Sequence, residues 1–108
     1  MTLEEIKALL EGIEGFADKV AYYAWPVGEV PELPFLCYLE TGADNFGADN
    51  KVYYSVRSVD VELYTQNKSP SSEALVEAAL TGAEIFWTKS EEYIDDEKCW
   101  MITYEIEV

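Results

Sequence analysis

Carboxylates are the residues this chain supplies most freely for chemistry: 22 aspartates and glutamates stand against 7 lysines and arginines, and there is no histidine. Two carboxylates divide acid and base roles only where a cleft drives their proton affinities apart. Runs such as Glu91-Glu92 and Asp95-Asp96-Glu97 read instead as solvated turns. Without histidine the commonest general base and metal ligand is missing. No serine sits in a nucleophile-elbow context, and no glycine-rich loop has phosphate-cradling spacing. Gly42-Ala43-Asp44-Asn45, echoed by Gly47-Ala48-Asp49-Asn50 around Phe46, invites a calcium reading. An EF-hand loop needs oxygen ligands at alternate positions closing on a glutamate, and that spacing is absent. Asp and Asn then serve turns by bonding their own backbone. Catalysis, cofactors and metal are not expected.

Cys37 and Cys99 stand in apolar strand contexts with no second cysteine nearby, and they read as buried free thiols, with a disulfide as the alternative. A net charge of −15 denies the chain the counterion-releasing contacts of general DNA binding and disfavours anionic membrane. The excess charge keeps a small domain soluble, or builds a surface that repels or imitates DNA. No apolar run approaches the roughly 20 residues of a membrane helix, and a helix starting at Thr2 leaves no room for a signal peptide, so a cytoplasmic setting is expected.

The elements that must position these residues follow from hydrophobic spacing. At 108 residues and 49% apolar content the chain is one domain, 1–108, able to bury roughly 65% of its unfolded surface. Residues 51–66 form its longest alternating stretch, a long central strand. Val52, Tyr54 and Val56 share one parity, and Val59, Val61 and Leu63 the other, which predicts a bulge or bend near Arg57 and Ser58. Thr2 and Glu5 make a capping box for a helix over Leu3–Glu11, ended by left-handed Gly12 and Gly15. A first strand over 17–25 stops at Trp25-Pro26, a turn-rich connection follows, and a short buried strand over 35–40 is expected to join it in a loose hairpin. Residues 41–50 read as a polar loop. Ser69 and Pro70 open a second helix with Leu75, Val76, Ala79 and Leu80 buried, ending before Gly82, and small Ala74, Ala78 and Ala79 would let it lie close to a sheet. Strands over 84–94 and 98–108 make an antiparallel hairpin. The order α-β-β-β-α-β-β predicts an α+β fold, a mostly antiparallel or mixed sheet with two helices packed on one face.

Aromatic residues outnumber what one small core hides. Trp25, Phe46, Trp87, Tyr53 and Tyr93 are left over, and large exposed apolar residues mark contacts with partners.

At Asn45-Phe46-Gly47-Ala48-Asp49-Asn50-Lys51-Val52-Tyr53, Val61-Glu62-Leu63-Tyr64-Thr65 and Lys89-Ser90-Glu91-Glu92-Tyr93-Ile94, the chain resembles small tail-completion or tail-terminator (head-tail connector) proteins of tailed phages and prophages of Gram-positive bacteria. The resemblance runs from about Ala21 to the end. It implies a virion structural subunit that assembles as a homo-oligomeric ring at the head-proximal end of a tail, with other tail and connector proteins as partners. It also implies subunit contacts from the stretch around Asn45 and Phe46, from Tyr53 on the long strand, and from Trp87. Carboxylates on such a ring's lumen would let DNA slide without sticking. The competing reading is an acidic DNA-mimic inhibitor of a nucleic-acid-binding protein. A small hydrolase or ligand-binding module is disfavoured by the missing histidine and motifs.

Overall fold

The capping box forms as the sequence predicts: the Thr2 hydroxyl accepts from the Glu5 N–H at 3.2 Å, and the Glu5 carboxylate accepts from the Thr2 N–H at 2.9 Å. The computed structural model describes residues 1–48 and 51–108, and for 44–48 and 51–55 the backbone alone. Helix α1 spans Leu3–Glu11 and buries Ile6 and Leu10. Gly12 closes it in a right-handed conformation, not the expected left-handed one, and Gly15 supplies the positive φ, at 90°. Helix α2 (Pro70–Gly82) starts from Ser69, whose hydroxyl accepts from Ser72.

Five strands make one mixed sheet: β1 (Val20–Tyr22), β2 (Phe35–Ala48), β3 (Lys51–Thr65), β4 (Trp87–Ile94) and β5 (Cys99–Glu107), ordered β1-β2-β3-β5-β4. The predicted α-β-β-β-α-β-β order holds, and both helices pack on one face. The rows Leu36, Leu63, Ile102 and Tyr38, Val61, Tyr104 run across β2, β3 and β5 on that face and meet Ile6, Leu10, Val76 and Leu80 from the helices. Each such buried side chain contributes roughly 1.5–3 kcal/mol.

Several boundaries differ from the sequence reading. The first strand is short, and it pairs parallel to β2, so the two are not a hairpin. Parallel neighbours need a crossover, and residues 23–34 provide it over the sheet face opposite the helices, where Trp25 meets Phe35 edge-on at 6.0 Å. The expected loop over 41–50 is instead mostly strand, because β2 continues to Ala48 alongside β3. A bulge does fall at this level, but its extra residue is Thr41 on β2, between the Glu40–Val59 and Gly42–Ser58 pairs, and not Arg57 or Ser58; β3 itself alternates without an extra residue from Tyr54 to Thr65. Leu75, expected in the buried stripe of α2, is 40% exposed, because the inward face runs through Glu73, Val76 and Leu80 and places Leu75 away from it.

Candidate functional site

A long β-ribbon leaves the sheet. Strand β5 follows β3 only as far as Ser58, and Arg57 and Val108 exchange a last pair of backbone hydrogen bonds at 2.9 Å. Beyond that point the described part of β3 pairs with β2 alone, from Ala43 opposite Arg57 to Ala48 opposite Lys51. The molecule is correspondingly long, at 50 × 30 × 24 Å. A second register shift falls between Phe46 and Gly47, opposite Tyr54 and Val52, which leaves Tyr53 as the extra residue. The side chains of Asn45, Phe46 and Tyr53, three of the residues marked as candidate contacts, lie outside the described residues.

At the base of the ribbon the helix-free face of the sheet is acidic. Asp60 and Glu105 are register partners on β3 and β5, Glu62 lies beside Asp60 along β3, and Thr88 on β4 donates to Glu105 at 3.4 Å. Like charges placed directly across a sheet destabilise it. Burial pushes the Asp60 carboxyl up and Glu105 pushes it further, and burial likewise raises Glu62 against the lowering hydrogen bond from Tyr64. No ion pair among the described residues involves Asp60, Glu62 or Glu105.

The cations are occupied on the other face. Lys68 and Lys89 both reach Glu73, Lys89 at 2.6 Å, while Lys89 also meets Glu77 at 2.8 Å and Lys68 meets Glu91 at 3.3 Å. The Tyr104 hydroxyl donates to Glu77 at 2.8 Å. These groups fasten α2 to β4 and β5. Burial alone would push Glu73 up, but the hydrogen bonds from the two lysines outweigh it and hold its carboxyl below the usual range. A buried charge is stable only when so paired. Arg57, at the ribbon's base, lies 3.9 Å from Glu40.

The sequence matches no family model, and a comparison with curated proteins gives no match either. Geometry therefore carries the functional argument. Among the described residues, no cluster of three or more cysteine, aspartate and glutamate side chains is arranged to hold a metal ion, and no helix is long and apolar enough to cross a membrane.

The remaining marked aromatics fall in different places. Trp87 opens β4, half-buried, edge-on to Tyr104 at 5.5 Å, with its indole N–H donating to Thr81 at 3.1 Å. Tyr93 is 43% exposed and edge-on to Trp100. Among the described aromatics the most exposed is Phe86, at 83%, which was not singled out by the sequence; it sits just ahead of β4, where an alternating pattern reads as strand. Trp25 lies in the crossover over the helix-free face and walls a cavity of about 430 Å³ with Phe35, Tyr64, Cys37 and Cys99. Its indole N–H is buried without an acceptor among the described residues, a state that costs about 1–3 kcal/mol when left unmet. Both thiols are free and buried, and burial with the nearby Glu62 raises Cys37 to about 11, so it stays protonated and unreactive.

Proposed function

We propose that this chain is a non-enzymatic structural subunit of a phage or prophage tail, forming a tail-completion or terminator ring at the head-tail junction. The observation that carries the reading is the ribbon of β2 and β3 running past the end of β5. A two-stranded ribbon is marginal in water by itself. Strands of 14 and 15 residues that outrun their sheet are explained if the ribbon lies against a neighbouring copy. The likeness to tail-completion proteins falls in part on this same stretch.

The charge distribution supports the reading. Lys68 and Lys89 are held by carboxylates on the helix side, while Asp60, Glu62 and Glu105 face outward on the bare side of the sheet. Subunits turning that face to a lumen would repel DNA phosphates. The test is molar mass by light scattering against protein and salt concentration, with and without Mg²⁺. A closed ring-sized species that grows as salt screens the like-charged subunits is expected. A monomer under every condition, including in the presence of purified tails, sinks the reading.

The in-register carboxylates of the same face favour one second reading, an acidic inhibitor that occupies the DNA site of a basic protein. Competition with duplex DNA for such a protein, weakened by Asp60→Asn with Glu105→Gln, separates the two.

A further inference from the structure

The cavity beneath the crossover is built differently from the rest of the helix-free face. Its volume of about 430 Å³ falls within the roughly 300–1,000 Å³ of small-molecule sites. Trp25 and Phe35 stand perpendicular at 6.0 Å, and Phe35 stacks on Tyr64 at 5.0 Å, so aromatic surfaces meet at an angle around it. Glu97 is the sole charged residue among the described residues of the lining, and burial, with Glu97 nearby, raises the Cys99 thiol. The Trp25 indole N–H is buried, with no acceptor among the described residues.

Aromatic faces with a carboxylate suit a weakly hydrated organic cation, because the ring quadrupoles and the carboxylate attract positive charge while the apolar walls accept its alkyl groups. An anion is excluded by Glu97 and by the net charge of −15. We propose that this cavity binds a small alkylammonium compound, with the cation between Glu97 and the aromatic walls. The cavity lies within one subunit, so the site does not depend on the ring reading.

Acetylcholine is a suitable probe, and 3,3-dimethylbutyl acetate is its uncharged carbon isostere. Binding to the full chain is followed by NMR through the Trp25 indole N–H resonance. Acetylcholine is expected to shift that resonance and to bind at least about fivefold more tightly than the isostere. Glu97→Gln, in an exposed turn, should weaken acetylcholine by a similar factor and leave the isostere unchanged. Equal affinity for the two probes, insensitivity to Glu97→Gln, or no shift at the solubility limit of acetylcholine each overturns the proposal.

Discussion

Glu73 on α2 and Lys89 on β4 form an ion pair of 2.6 Å whose carboxylate is only 4% exposed. Lys68 holds the same carboxylate from the loop ahead of the helix. Replacing both lysines, as Lys68→Met with Lys89→Met, leaves Glu73 buried and uncompensated. A loss of about 3–5 kcal/mol is expected, against about 1–2 for either single change. Urea unfolding at pH 7 measures it, and additive single effects would contradict a shared carboxylate.

Acidity should act in two opposing steps. Asp60 and Glu62 are pushed above their ordinary values of 3.8 and 4.5, chiefly by burial, so the folded state takes up their protons more readily than the unfolded chain. Stability is therefore lost as pH rises through that window, and gained as it falls. Glu73 is held below 4.5, so its contribution is present above that value and lost as pH falls through its folded one. The melting temperature should rise from pH 7 to about pH 5 and then drop under stronger acid. A steady decline from pH 7 downward would refute this.

Asp60→Asn removes a carboxylate that faces Glu105 directly across two strands. At pH 7 it should stabilise the fold by about 0.2–1 kcal/mol, and it should flatten the rise toward pH 5. Thermal melts of the variant at both pH values decide it.

Trp87 is tied to the fold through Tyr104 and Thr81. Trp87→Ala should cost about 2–4 kcal/mol, and Trp87→Phe about 1, the share of the lost indole hydrogen bond. A melting temperature unchanged in Trp87→Ala would place this residue's role in subunit contact alone.

The ribbon separates folding from assembly. Replacing residues 44–56 by Asn-Gly joins Ala43 to Arg57 through a two-residue hairpin turn. The shortened chain should melt within a few degrees of the parent, yet fail to associate in light scattering. Phe46→Ala should weaken association in the same assay with little effect on melting. A collapse of stability in either variant would make the ribbon part of the core.

Local physics made much of this protein readable from its sequence. Thr2 with Glu5, and Ser69 with Pro70, each satisfy backbone groups within a few residues, so the starts of both helices could be placed from neighbours alone. The alternation of Trp100, Ile102, Tyr104 and Ile106 marked the buried face of β5 for the same reason. Pairing between distant strands carries no such local mark. That β1 runs parallel to β2, that Gly42–Ala48 continue as strand despite turn-forming composition, and that the bulge places its extra residue, Thr41, on β2 were decided by which backbone groups the folded chain brings into register. Glu73 is the clearest case. On a helix its charge reads as solvated, and only the arrival of Lys68 and Lys89 from either end of α2 made an inward carboxylate stable.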